Sequence, residues 1–502
     1  MFIAYDIKNG IEYAKAVVSK RNGSKIDKTY INLGRVIDKE KLIFKNRKQG
    51  VFTFDPNSGE CSSPDSEIML PPDGKQSKEK YILDFGDSFF LDSFIKQDGL
   101  KEALDYIYYP NPDTLYAMVH YYILCSMSNR HAGDWFEGNY ARILYPKANL
   151  VSQRISEFLA AIGEEENLRN FFNRYIEYVT DKADDCESIL IDSTGLPNSI
   201  HFPLTAISNH NGNVSNEVRL IYVTHQTTGL PIYFRYVAGN IIDVSTLKIT
   251  ISELKAANVN TKFAVLDAGY YTEQNIQELY NANISFVTRL KPNFNVYKNL
   301  VAEHLSTIEQ ADNLIEYNGR YIYVKCIPVE LVQGHTAYAY LCLDIERKAA
   351  ETQKLFKRAK AEKLDVTEVY NRMAAQGAFV IVSSRKVTRE SILPTYYTRQ
   401  QIEQVFDIGK NYADMLPLRI RTEETFRGHL LLTFIASVIL KRLQDTLKSS
   451  VYNPISMFLN LRNQKCKVYD SLVIAQEANK KANDCYKLFG IKCPAEIPIK
   501  RG

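Results

Sequence analysis

FAVLDAGYYTEQNIQELYNANISFVTRL, residues 263–290, passes from an apolar run ending in Asp267, through the helical pattern of NIQELY, to a second apolar run, ISFVTRL (284–290). A strand, a helix and a strand in such close succession point to an α/β sheet. Upstream, ILID (189–192) is another short apolar run that ends in an aspartate. RLIYVT (219–224) and PIYFRYVAG (231–239) bracket Thr227-Thr228-Gly229 as a hairpin. Downstream, from Pro292 to about Met373, strand-rich YIYVKCIPV and AYAYLCLDI precede a charged helix, and GAFVIVSS (377–384) resumes the strand pattern. Helical patterns follow at Thr398–Tyr412 and Glu423–Leu447. Three strands and then an alternation of strand and helix predict a mixed sheet flanked by helices.

Outward from this core the pattern changes. Residues 1–54 form β-like runs (YAKAVVSK, KTYINLG) around Arg21-Asn22-Gly23, an Asn-Gly turn signal, and predict a basic hairpin. Residues 55–80 are polar, with Pro and Ser, and are expected to be a linker; 81–180 carry helical spacing and the single tryptophan, Trp135, expected as a core anchor. The α/β part then divides into 181–291 and 377–450 around a strand-rich insertion at 292–376, leaving a basic C-terminal region at 451–502.

Composition narrows the class. The chain has 502 residues, 45% hydrophobic and 24% charged, with a formal net charge of +4. That total conceals a division: residues 1–50 hold twelve Lys/Arg and five Asp/Glu, residues 461–502 nine and four, so the remainder is acidic. Basic ends suit an anionic partner. Leu430–Leu440, the longest apolar-rich stretch, falls short of the ~20 residues a bilayer span needs, so no membrane partner is expected. Asp6 interrupts any signal-peptide core, and the eight cysteines include no C-x-x-C pair, so an intracellular protein with reduced thiols is expected. There is no phosphate loop, no G-x-G-x-x-G and no H-E-x-x-H; a metal site should therefore be built from carboxylates.

Asp192 and Asp267 each end an apolar strand. Such an aspartate alone is commonly a helix cap or turn former, but the carboxyl ends of neighbouring strands are where open α/β sheets gather ligands. Carboxylates crowded into one cleft repel unless a cation lies among them. In YYTRQQIEQVFDIGK, about 100° per residue places Arg399, Glu403 and Lys410 on one helix face, opposite Ile402, Val405 and Phe406. Thr398 with Gln401 reads as a capping box, with Tyr396 just ahead of the helix or on its face. On periodicity alone the simpler reading is a solvated stripe with an i,i+4 Arg–Glu ion pair.

Tyr396, Arg399, Glu403 and Lys410 reproduce the Y-(2)-R-(3)-E-(6)-K spacing of bacterial insertion-sequence transposases of the DDE type, and the chain resembles that family in further blocks. LIDSTG (190–195) is similar to its first-aspartate strand, VLDAGYYTEQN (265–275) to its second, VAGNIIDVSTL (237–247) to the segment between them, and RIRTEETFRGHLLLTFIA (419–436) to the stretch after the glutamate. The resemblance spans about residues 100–445 and fits the branch with a β-strand insertion. It implies a ribonuclease H-like fold in which Asp192, Asp267 and Glu403 hold two Mg²⁺ (Mn²⁺ substituting) and catalyse DNA cleavage and strand joining. It further implies that Tyr396, Arg399 and Lys410 bind DNA, that the partners are transposon-end and target duplexes, that a homodimer forms at synapsis, and that the protein works in the prokaryotic cytoplasm at the nucleoid. The insertion lacks the tryptophan on which some relatives stack a flipped base; Tyr297, Tyr317, Tyr321, Tyr323, Tyr338 and Tyr340 are either substitutes or strand-core aromatics. His429 and Arg421 match the family block, His429 as packing or as a catalytic group. The rival readings are a DNA-binding descendant that no longer cuts and, more distantly, a metal-free glycosidase-like carboxylate pair. End recognition is expected in residues 1–180, with LVSQRISEFL either a recognition helix or a solvated amphipathic one.

Overall fold

The computed structural model describes residues 1–8, 11–22, 25–63, 79–183, 186–198, 202–208, 214–362, 365, 367, 369, 373, 375–413, 415–416, 418 and 420–499. It divides into two compact units, Met1–Lys78 and Glu79–Gly502.

The first unit is a six-stranded antiparallel sheet in sequential order: β1 (Phe2–Lys8), β2 (Ile11–Asn22), β3 (Lys25–Asp38), β4 (Ile43–Asn46), β5 (Gly50–Phe54) and β6 (Cys61–Ser62). The basic hairpin expected here is β2–β3, at the centre of a larger meander; the tip of its Asn-Gly turn lies outside the described residues. Alternation buries one face, where Ala14, Ala16, Leu33, Phe44, Phe52 and Phe54 form a small core. Within the stretch expected as a linker, Asp55 accepts from the backbone N–H groups of Asn57 and Ser58 in a turn that delivers β6; residues 64–78 lie outside the described residues.

The second unit opens with β7 (Tyr81–Asp84) and continues through helices up to Glu165–Ala183. Trp135 sits at the border of this helical region, partly buried and edge-on to Tyr121, with ring centroids 5.5 Å apart. Then comes the central sheet: β8 (Ser188–Pro197), β9 (Ala206–Ser208), β10 (Ser215–His225), β11 (Pro231–Ala238), β12 (Phe263–Leu266), β13 (Ser285–Leu290), β14 (Leu314–Tyr317), β15 (Arg320–Val332), β16 (His335–Asp344) and β17 (Ala378–Ser383). Its strand order is β11-β10-β8-β12-β13-β17-β16-β15-β14, with β9 beside β10. β8, β12 and β13 run parallel, the helix Leu247–Ala256 leading from β11 into β12 and the helix Glu273–Asn281 joining β12 to β13, whereas β10 and β11 are antiparallel hairpin strands, which is the mixed, ribonuclease H-like arrangement. The inserted strands extend this same sheet, since β17 pairs with β13 on one side and β16 on the other. β18 (Lys465–Val468), β19 (Leu472–Ala475) and β20 (Glu496–Pro498) return to pair with β7 in a second, four-stranded sheet.

The helix Glu423–Leu447 runs through the core, and Leu430–Leu440 is buried within it. Among the described residues no helix is long and apolar enough to cross a membrane. LVSQRISEFL folds as the helix Ser152–Ile162, which buries Ile155, Phe158, Leu159 and Ile162 and exposes Gln153, Arg154 and Glu157. It packs on the long helix at two glycines: a Cβ on Gly428 would stand 1.9 Å from the Leu159 carbonyl, and one on Gly163 1.9 Å from that of Glu424. Only glycine permits so close a backbone approach.

Candidate active site

β8 and β12 are neighbours in parallel register, Ile191 opposite Leu266, so the next residue of each chain brings Asp192 and Asp267 side by side. Asp192 is buried in its strand, with its backbone exchange to Tyr222 of β10 already satisfied by the ladder. Asp267 follows the end of β12, where its side chain caps the turn Ala268–Tyr270 by accepting from the N–H of Gly269 at 3.1 Å. Glu403 comes from the first turn of the helix Gln400–Tyr412, whose apolar face buries Ile402, Val405 and Phe406.

These three carboxylates converge on one side chain. The Arg399 guanidinium donates through Nη1 to Asp267 Oδ1 at 2.7 Å, and through Nη2 to Glu403 Oε1 at 2.7 Å and Asp192 Oδ2 at 3.3 Å. Its Nε is buried and has no hydrogen-bond partner among the described residues. Burial pushes the Asp192 carboxyl up to about 7; Arg399 opposes this and the Asp267 charge adds to it. Arg399 is itself desolvated, yet the three carboxylates hold its guanidinium above the ordinary range.

The remaining predicted residues share this helix pair. Tyr396 is buried on the helix Arg389–Tyr397, edge-on to Tyr397, and burial raises its phenol above the ordinary range. Lys410 donates to Thr194 Oγ1 at 2.5 Å, two residues along β8 from Asp192, and desolvation lowers its ammonium against the opposing charge of Glu217. The expected Thr398–Gln401 capping box is absent. Thr398 and Arg399 stay in the right-handed helical conformation between the two helices, Thr398 donates back to the Thr395 carbonyl, and Gln401 reaches the Thr227 carbonyl. His429 lies elsewhere, buried between the Tyr122 hydroxyl (2.8 Å) and the Met415 carbonyl (3.3 Å), and burial lowers it to about 4. Within the insertion, Tyr297 and Tyr340 are buried and Tyr321 is 56% exposed.

One carboxylate was not singled out by sequence reasoning. Asp243 accepts from Ser193 Oγ at 2.5 Å and from Arg219 Nη1 at 3.1 Å, directly behind Asp192. Its signal was the G-N-x-x-D spacing in VAGNIIDVSTL.

Among the described residues no three His, Cys, Asp or Glu side chains are already gathered closely enough to hold an ion, because Arg399 stands among them. The donor set nevertheless fits hard divalent cations: three carboxylates, oxygen only, directed at a single positive charge.

The chain matches the family model described as "Transposase DDE domain" over residues 187–439, just over half its length. No curated protein matches it in sequence. Among solved structures, the cryo-EM structure of a piggyBac transposase synaptic complex with hairpin DNA aligns over 70% of this chain and 70% of its own, with 11% identity and a TM-score of 0.40. With the match spanning both aspartate strands and the glutamate helix, the chain belongs to the transposase DDE domain family.

Proposed function

We propose that this transposase cuts double-stranded DNA at the ends of an insertion sequence and joins the freed 3′-hydroxyls to target DNA, using Asp192, Asp267 and Glu403. The observation that carries this reading is the convergence of these three side chains, from two parallel strands and one helix, on a single cation. Divalent ions of the Mg²⁺ or Mn²⁺ class, held by those carboxylates, would supply Lewis-acid activation of the attacking oxygen and neutralise charge on the leaving one. Arg399 offsets the repulsion among the crowded carboxylates, and its planar fork also suits a phosphate. Lys410 serves as a second, point-like phosphate contact, and Tyr396 as a donor to the DNA backbone. In the first step water displaces the 3′-oxygen at the element's end; in the second that 3′-oxygen displaces one in the target, so both are in-line phosphoryl transfers through one site. Two ends must be brought together, which favours a homodimer.

Purified protein, a labelled duplex carrying the terminal repeats found beside the reading frame, and Mg²⁺ should yield 3′-hydroxyl ends and joined products. Asp192→Ala, Asp267→Ala and Glu403→Ala should each abolish both. Undiminished cleavage by any of them would remove that residue from the site, and wild-type protein that binds but never nicks would be the DNA-binding descendant.

A further inference from the structure

The hairpin β2–β3 is longer than the sheet that holds it. β1 pairs with β2 only as far as Val17, and β4 pairs with β3 only from Arg35. Beyond β1, Val18–Asn22 and Lys25–Thr29 pair only with each other among the described residues, so a two-stranded ribbon projects from the first unit. Five residues beyond β1 correspond to about 17 Å at ~3.4 Å per residue.

Register divides its side chains between two faces. Cross-strand partners share a face, and successive residues alternate. Ala14 and Ala16 point to the core side, together with Ile3 and Tyr5 of β1. The other face carries Lys15, Ser19 opposite Lys28, and Arg21 opposite Ile26. Lys15, Arg21 and Lys28 are all exposed and form no ion pair among the described residues. Between residues 15 and 32 the only acid is Asp27, and it pairs with Lys20 on the opposite face. Ile26 and Tyr30 share the basic face and are each 61% exposed.

We propose that the face of β2–β3 carrying Lys15, Arg21 and Lys28 is a duplex-DNA contact, its projecting part entering the major groove. This rests on the reading of the protein as a DNA-processing transposase and adds to it which element grips the DNA and with which face. A purely protective role for edge lysines does not account for a face that carries Lys15, Arg21 and Lys28 with no acid among them, while Lys20 on the other face stands opposite the lone acid Asp27. The dimensions agree: a major groove about 12 Å wide and ~8.5 Å deep admits a two-stranded ribbon, and this one projects further than the groove is deep. Same-face residues along a strand are about 6.8 Å apart, the rise of two base pairs, so Arg21 and Ser19 keep step with the duplex.

The test uses full-length protein in EDTA, so that binding is read without cleavage, with fluorescence anisotropy on a terminal-repeat duplex between about 50 and 200 mM salt. Arg21→Ala/Lys28→Ala should weaken binding at least about tenfold and lower the salt slope by about two, one per phosphate contact removed, while its melting curve matches wild type. Lys20→Ala, on the other face, should stay within about twofold of wild type. Unchanged affinity and slope in the double variant, or an equal loss per charge in Lys20→Ala, would overturn the assignment. So would Ile26→Ser/Tyr30→Ser converting a dimer to a monomer with DNA binding intact, which would make the ribbon a protein interface. Cleavage by the three carboxylates is scored separately in Mg²⁺, so ribbon variants that bind normally and cut normally refute only this inference.

Discussion

Arg399 offsets the repulsion within the carboxylate cluster, yet burial still holds the Asp192 carboxyl above its ordinary range. Folded Asp192 keeps its proton to about pH 7, whereas the unfolded chain releases it at an ordinary carboxylate pKa. Between those values the native state binds the extra proton, so stability falls as pH rises, by up to about 1.4 kcal/mol per unit, and the loss is complete above pH 7. Asp192→Asn removes the titration. In metal-free buffer its melting temperature should therefore exceed that of wild type by more at pH 8 than at pH 5; an equal difference at both would mean that Arg399 outweighs burial and Asp192 is already ionised at pH 5. Behind it, Asp243 and Arg219 form a pair whose side chains are 11% and 5% exposed. Asp243→Ala strands Arg219 and should cost about 3–5 kcal/mol in urea unfolding. It should also slacken Asp192 through the lost Ser193 contact, so cleavage should fall even where the protein remains folded. Normal stability in Asp243→Ala would show that Arg219 finds another partner.

At the scale of elements, the two helices Ser152–Ile162 and Glu423–Leu447 meet where Gly428 has no room for a methyl group against the Leu159 backbone. Gly428→Ala must push the helices apart and should destabilise the protein by at least about 1–3 kcal/mol, measured by chemical denaturation, despite alanine's better helix propensity. A neutral or stabilising effect would mean the helices slide freely. Such packing was invisible in the sequence, which suggested only a helical pattern over Glu423–Leu447. What was legible followed local periodicity: the two strands ending in Asp192 and Asp267, the apolar face of Ile402, Val405 and Phe406, and the hairpin at Gly229, whose φ of +69° suits glycine. What was not legible depended on partners distant in sequence. The insertion strands reveal their place only when β17 pairs with β13, and the capping box fails because the preceding helix continues through Thr398. Arg399 could be placed on a face, but not at the meeting point of three carboxylates.

Across the whole chain, charge and topology are partitioned differently. Residues 1–78 hold 14 Lys/Arg and 10 Asp/Glu, which accounts for the entire net charge of +4, while residues 79–502 balance 48 against 48. The basic C-terminal region is therefore not a free arm within an otherwise basic unit: it completes a neutral one. β18 pairs with β7, the helix Pro454–Arg462 buries Met457, Phe458 and Leu461, and Arg462 Nε donates at 2.8 Å to Asp87, which is 0% exposed. Removing one partner of so buried a pair costs about 3–5 kcal/mol. Arg462→Ala should lower stability by that amount, and truncation after Ser450 by much more, because it also leaves β7 unpaired and strips Phe458 and Phe489 from the buried Phe90. Thermal melting and limited proteolysis of the two variants check this. If the truncated chain melted like the full one and merely bound DNA less tightly, residues 451–502 would be an appended basic arm, and their pairing with β7 would contribute little to the stability of the unit that carries the carboxylates.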